Sequence, residues 1–311
     1  MISSEFRILP LNQQYSALTE PNIMLKKITA ALLMSISAAA FAVPLGSQSV
    51  LVVEDETGKV LVEKNATAVV PIASLTKLMT AMVVLDSKLD MEEQISIDKE
   101  DVDTLKHSTS RVPVGATLSR GEVLQLALMS SDNRAAAALA RTFPGGPTAF
   151  KAAVHAKIKQ LGMTSTQINE PTGLSPENTS NAADLVKMAT AAAQYPEIRR
   201  ITTDTEEVIN MKGRKVSYHN TNRLVGAKGW DIGLSKTGYT EEAGRCLIMR
   251  ITEAGRNATL VLLNAGGNAA RLMDALNIRR LLAGGSNEPQ VMKASSPRKK
   301  AARTERRRRR M

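Results

Sequence analysis

Pro71-Ile72-Ala73-Ser74-Leu75-Thr76-Lys77-Leu78-Met79-Thr80 decides how the rest of the chain is read. Pro71 stops whatever precedes it. Ile72, Leu75, Leu78, Met79 and Met82 recur at helical spacing, which predicts a buried helix running to about Leu85. Ser74 and Lys77, three residues apart, then share one face of its first turns. A hydroxyl is a poor nucleophile until a base takes its proton, and a neutral amine one turn away can do so. The first turn also points unpaired backbone N–H groups and the positive end of the helix dipole at the serine, favouring negative charge there. Two other Ser-x-x-Lys patterns, Ser96 to Lys99 and Ser296 to Lys299, have no apolar helical frame.

The 311 residues, 43% hydrophobic and 23% charged, suit one large or two small globular domains. Aromatic residues make up 3%, too few for the stacking platforms that bind single-stranded nucleic acid. The net charge of +11 is unevenly spread: Lys293 to Met311 hold ten Lys or Arg and one Glu. That tail carries +9 and residues 1–42 carry +1, leaving about +1 for the body and no case for a nucleic-acid partner. The tail reads as a solvated, disordered segment that could touch an anionic membrane or wall polymer. Cys246 is the sole cysteine, so no internal disulfide forms, and its apolar neighbours predict a buried thiol. His107, His155 and His219 are far apart, and no metal or cofactor is expected.

Met24-Leu25-Lys26-Lys27, the apolar run Ile28 to Phe41 and the ending Ala40-Phe41-Ala42 read as a start, a signal peptide and a cleavage site after Ala42. The expected organisation is residues 1–42 as extension and signal, 43–290 as a catalytic domain and 291–311 as a basic tail. The body opens with a hairpin, Ser49 to Val53 and Val60 to Glu63. Helices are expected after the capping-box pair Ser119 and Glu122, then to about Arg141, over Thr148–Leu161 and over Ala182–Tyr195. Phe143 to Pro147 reads as a break and Asn169 to Asn181 as a polar loop. Strands follow at Gly233–Tyr239, Arg245–Thr252 and Ala258–Asn264, then a helix from Gly267 to Leu282. This order implies an α/β sandwich whose first hairpin joins the late strands in one sheet.

Two further patterns raise the weight of Ser74. Ser131-Asp132-Asn133 follows an apolar helix, and Lys236-Thr237-Gly238 closes a strand. Ser-x-x-Lys, Ser-x-Asn and Lys-Thr-Gly occur here in the order found in serine β-lactamases and penicillin-binding proteins. From about Ser49 to Leu282 the chain resembles the type-7 low-molecular-mass penicillin-binding proteins, the D-alanyl-D-alanine endopeptidases of peptidase family S11. Longer phrases carry the resemblance: Pro71 to Asp86, Ala127 to Ser131, Asn133 to Ala137 and Glu170 to Ser175. Asp132 departs from it, since relatives often have Glu there.

The resemblance implies a DD-peptidase/β-lactamase-like fold, an antiparallel sheet flanked by helices with an inserted helical subdomain. It implies a periplasmic enzyme acting on cross-linked peptides of peptidoglycan and acylated by β-lactams. Ser74 would attack a D-alanyl carbonyl, with Lys77 as base, kept neutral by burial and by Lys236. Ser131 would pass the proton to the leaving amine, and Asn133 would bind the substrate amide. Lys236 and Thr237 would hold a carboxylate, and Gly238 would let the strand edge approach the substrate. The N–H groups of Ser74 and Tyr239 would form the oxyanion hole. Arg134, Glu170 and Asp184 are expected to close loops.

Blander readings stand beside these. Ser131 and Asn133 could merely cap helices, and Lys236 could be an exposed strand lysine. Among activities, D,D-carboxypeptidase uses the same motifs. A β-lactamase would need a deacylating base, for which the loop offers Glu177 in a loose Glu-x-x-x-Asn with Asn181. A non-catalytic wall-binding protein would have lost Ser74, Lys77 or Lys236, and all three are present.

Overall fold

Continuous apolar runs in the first and last strands, buried on both faces, build the sheet on which the site rests. The computed structural model describes residues 45–211, 213–284 and the backbone of 290–291. In chain order its strands are β1 (Ser47–Glu54), β2 (Val60–Lys64), β3 (Val70–Pro71), β4 (Gln94–Ser96), β5 (Thr117–Ser119), β6 (Thr179–Ser180), β7 (Glu206–Met211), β8 (Arg214–His219), β9 (Asp231–Thr240), β10 (Gly244–Glu253), β11 (Arg256–Ala265) and β12 (Gln290–Val291). Its helices are α1 (Thr76–Asp86), α2 (Arg120–Met129), α3 (Asn133–Arg141), α4 (Gly146–Gln160), α5 (Ala182–Ala192), α6 (Pro196–Thr203) and α7 (Asn268–Ala283).

The main sheet runs β12-β2-β1-β11-β10-β9. The first hairpin joins the late strands as expected, β1 pairing antiparallel with β11 so that Val50 faces Leu262. Successive side chains point to opposite faces. Val50, Val52, Leu247, Met249, Leu260 and Leu262 pack on one side with Ala275, Ile278 and Leu282 of α7. Leu51, Cys246, Ile248, Val261 and Leu263 join the larger helical core on the other. Buried Asp274 of α7 accepts from the backbone N–H groups of Gly46 and Ser47 at 2.8 and 2.7 Å, fixing α7 to the start of β1. Inside the helical core, every residue of α1 from Thr76 to Val84 is buried. A helix apolar all round belongs inside a core.

Several boundaries differ from the sequence reading. The expected break at Phe143–Pro147 ends sooner, because α4 begins at Gly146, with Gly145 left-handed before it and Pro147 in its first turn. Proline suits that position, where its missing N–H would be unpaired anyway. The polar loop Asn169–Asn181 contributes the short strand β6, paired with β3. Helix α6 and the β7–β8 hairpin were not anticipated. The expected signal peptide, the tail contact and the segments 1–42 and 292–311 lie outside the described residues. Among the described residues, no helix is long and apolar enough to cross a membrane.

Candidate active site

Ser74 does not stand in the α-helix. It lies in a 3₁₀ turn, Ala73–Leu75, and α1 begins at Thr76. Ala73 is held at φ +48, a left-handed conformation that costs a non-glycine residue about 1 kcal/mol or more. Such a conformation persists where its surroundings fix it. The Ile72 N–H donates to the Asn178 carbonyl at 3.0 Å, and Thr76 Oγ1 donates to the Ala73 carbonyl at 2.8 Å. Gly173 lies so close that a Cβ there would come within 1.9 Å of the Ala73 oxygen. The loop that follows Glu170 is thus seated on the turn that presents Ser74.

Lys77, 1% exposed, points its Nζ at three acceptors: Ser74 Oγ at 2.9 Å, Asn133 Oδ1 at 2.7 Å and the Thr172 carbonyl at 2.7 Å. Burial lowers its pKa from 10.5 to about 8, while the charges of Glu170 and Asp132 pull in the opposite direction. The sequence reading credited the Lys236 cation with part of this shift, whereas burial is what lowers it. The repulsion is instead felt at Lys236, also 1% exposed, whose pKa is held well below the usual lysine value by burial first and then by Lys77 and Arg271.

Lys236 Nζ donates to Ser131 Oγ at 2.8 Å, which joins the strand motif to the Ser-x-Asn turn. The capping expected as the bland role of Ser131 and Asn133 belongs to the residue between them. Asp132 is the N-cap of α3, accepting from the Ala135 N–H at 3.0 Å, and it also accepts from Ser110 Oγ at 2.7 Å. Ser131, at φ +58, and Asn133 are left to meet the two lysines. Asn133 Nδ2 donates to Ser108 Oγ at 2.9 Å, so both ends of its amide are engaged. Thr237 Oγ1 donates to Thr221 Oγ1 at 2.7 Å. At Gly238 a Cβ would meet Ile72 O at 3.1 Å and Ser74 N at 3.2 Å. Its bareness lets β9 lie against the Ser74 turn.

A cleft of about 520 Å³ opens from Ser74, Ser131, Thr237, Gly238 and Tyr239 toward three arginines, Arg223, Arg245 and Arg271. Arg245 stacks 3.5 Å above the ring of half-exposed Tyr239, and Arg271 donates to the Cys246 carbonyl at 3.1 Å. The structure thus gathers all eight residues of the three motifs, Tyr239 included, about one cleft or its rear wall. Cys246 is buried beside it, its pKa pushed up to about 11 by burial. The loop roles expected of Glu170 and Asp184 are visible: Asp184 accepts from the Ser165 N–H at 2.8 Å and from Thr166 Oγ1 at 2.9 Å. Arg134 donates to the Val112 carbonyl. Sequence reasoning missed Thr172, Ser108, Thr221 and the three arginines. For Thr172 the signal was present in the Glu170–Ser175 phrase, but what reaches Lys77 is a backbone oxygen.

The family model described as D-alanyl-D-alanine carboxypeptidase, peptidase S11, matches residues 36–267. The chain belongs to this family. It is 44% identical over 274 residues to the D-alanyl-D-alanine endopeptidase of Pseudomonas aeruginosa, covering 84% of this chain and 88% of the relative. The D-alanyl-D-alanine endopeptidase of Escherichia coli is 41% identical over 83% of this chain and 84% of its own. The crystal structure of the Streptomyces K15 DD-transpeptidase superposes with a TM-score of 0.72 at 25% identity, over 77% of this chain and 97% of that one. The family's fold is therefore the fold of this chain, with the antiparallel sheet and the helical insertion between β2 and β9.

Proposed function

We propose that the protein is a serine D-alanyl-D-alanine endopeptidase that hydrolyses D-alanyl peptide cross-links of peptidoglycan through an acyl-enzyme on Ser74. One observation carries the mechanism: Lys77 Nζ has three fixed neighbours, and only Ser74 Oγ among them can give it a proton. A neutral amine keeps two N–H bonds and one lone pair. With the N–H groups taken by Asn133 Oδ1 and the Thr172 carbonyl, the lone pair faces the Ser74 hydroxyl. Its pKa of about 8 leaves a useful fraction neutral near physiological pH.

Lys77 then takes the Ser74 proton as Oγ attacks the D-alanyl carbonyl. The oxyanion forms beside the N–H groups of Ser74 and Tyr239, donors fixed before the reaction. As the C–N bond breaks, Ser131 gives its proton to the leaving amine and takes up the one held by Lys77, so both return to their starting forms. Lys236 and Thr237 hold a substrate carboxylate, an interaction strengthened by charge. Asn133 meets the substrate amide through Nδ2 by exchanging its bond to Ser108. Water finally releases the acyl group. A β-lactam offers the same carbonyl and acylates Ser74.

The second reading is D,D-carboxypeptidase, the activity in the family's own description. The endopeptidase reading is supported by the two relatives at 44% and 41% identity. For β-lactamase the sequence offered Glu177, which is exposed and accepts from Asn169 Nδ2 at 3.0 Å, away from the cleft-lining residues. The deciding experiment mixes the protein with cross-linked muropeptide dimers and pentapeptide monomers and follows both by mass spectrometry, with Ser74→Ala as control. Loss of dimers, abolished in the variant, supports the endopeptidase. Loss of terminal D-alanine alone makes it a carboxypeptidase. No change in either overturns both.

The same reading places the enzyme in the periplasm, exported by residues 24–42 and cleaved after Ala42. N-terminal sequencing of the exported form should start at Val43. Residues 293–311 would rest on anionic lipid or wall polymer, and their deletion should weaken sedimentation with anionic vesicles.

A further inference from the structure

We propose that Glu170 is a positioning residue for catalysis, holding the loop from Glu170 to Asn178 so that the Thr172 carbonyl stays on Lys77 Nζ. Its carboxylate receives five donors. Oε2 accepts from Thr172 N at 2.7 Å and Thr172 Oγ1 at 2.5 Å. Oε1 accepts from Gly173 N at 2.6 Å, Asn178 Nδ2 at 3.0 Å and Ser175 N at 3.3 Å. Every donor belongs to the loop that lies on the Ser74 turn, and Asn178 reaches that turn directly, donating to Thr76 Oγ1 at 3.2 Å. Both carboxylate oxygens are acceptors only, as an ionised carboxylate requires. The next segment of the same loop is fixed by Thr80 Oγ1, which donates to the Pro171 carbonyl at 2.7 Å. Thr172 is thereby anchored on both sides of the oxygen that orients Lys77.

The inference rests on Lys77 being the base. Glu170 then acts on it in two opposed ways. By placing the Thr172 carbonyl it fixes one N–H and aims the lone pair at Ser74, which raises the rate once the amine is neutral. By its charge it favours the protonated amine, which moves the onset of activity to higher pH. A residue that merely kept the fold would do neither separately. The other charged groups around the pair are Asp132 at the start of α3 and Lys236 of β9 facing Lys77, Glu177 within the loop, and Lys151 and His155 of α4 across a second cavity of about 480 Å³ behind Glu170.

The test measures the second-order acylation rate by a fluorescent penicillin from pH 5.5 to 10, on the full chain, for wild type, Glu170→Gln, Glu170→Asp and Thr172→Val. Glutamine brings an NH₂ group among five donors and removes the charge. Its plateau rate should fall about 10- to 100-fold, the scale of a misplaced catalytic group, and its acid limb should move down by roughly 0.5 pH unit or more. Aspartate keeps the charge, so its limb should stay while its plateau recovers in part. Thr172→Val removes one donor without touching charge, and it should lower the plateau severalfold with the limb in place. Equal plateaus, or a Glu170→Gln limb that does not move while the plateau falls, overturn the proposal in favour of a scaffold role. Should Glu170→Gln fail to fold, as judged by its thermal unfolding, Glu170→Asp and Thr172→Val still decide it: plateaus equal to wild type overturn it. Acylation that survives Ser74→Ala, or a wild type without an acid limb, strikes the base reading itself and is told apart by those two controls.

Discussion

Lys77 and Lys236 stand on the helical and the strand wall of one cleft, each 1% exposed and each bonded to a motif serine. The same residue type at the same depth is given different company. Two carboxylates, Glu170 and Asp132, act on Lys77 against the effect of burial, and its pKa comes to about 8. At Lys236 the charges of Lys77 and Arg271 add to burial, and its pKa is held well below the usual lysine value. Burial alone would have made two equivalent amines. The unequal charges set the two apart: carboxylates oppose burial at Lys77, while cations add to it at Lys236.

The largest break in this comparison should come from Lys77→Ala. Removing a general base costs about 10²- to 10⁴-fold, and penicillin acylation of this variant should fall by at least ~10³-fold in a stopped-flow assay. Lys236→Ala should cost less, about 10- to 100-fold in kcat/KM for peptides ending in a free carboxylate, as expected for a charge-assisted hydrogen bond. Amidating that carboxylate should erase most of the difference between variant and wild type. Equal losses at both lysines would remove the distinction drawn here.

Protons sharpen it. When a carboxylate-bearing peptide binds the Ser74→Ala protein in alkaline buffer, where a lysine held well below its usual pKa is partly neutral, Lys236 should take up protons. Titration calorimetry in two buffers of different ionisation enthalpy detects this, and identical heats would contradict it. For Lys77 the linkage is one of stability. Its pKa is about 8 folded against 10.5 ordinarily, so between those values the unfolded chain binds more protons. Stability must then rise with pH across that window, by about 1.4 kcal/mol per pH unit at most from this one group. Urea titrations of wild type and Lys77→Met should diverge with that sign, and parallel curves would refute it. The smallest effect should be Arg245→Ala, since a half-exposed cation–π contact is worth about 0.5–1 kcal/mol. A two- to fivefold rise in KM is expected.

The candidate site residues were legible because each lies in a short motif framed by apolar helix or strand, and the late strands because they are short continuous apolar runs bounded by turn residues. The Lys-Thr-Gly strand could be placed in a sheet from its sequence alone. What could not be read has physical reasons. The Thr172 contact is made by a carbonyl that every residue carries. Pro196 reads as a stop after Tyr195, yet at the head of α6 its missing N–H costs nothing. In β7, exposed Val208 sits next to buried Ile209, so apolar alternation is lost although the pairing is regular. Arg245 and Arg271 are brought to one cleft only by the packing of α7 on the sheet. Asp132 looked like a neutral departure in the middle of a motif. Its capping of α3 is what turns its two neighbours toward the lysines.

One feature of the sheet reaches beyond chemistry. β9 is its last strand, and the outer edge of such a strand is open to pairing with any extended chain, including another copy of the protein. At Gly238 one face of this strand is covered by the turn of Ser74, close enough that a methyl group would touch it. An extended chain pairing with this edge would therefore lie beside the turn of Ser74.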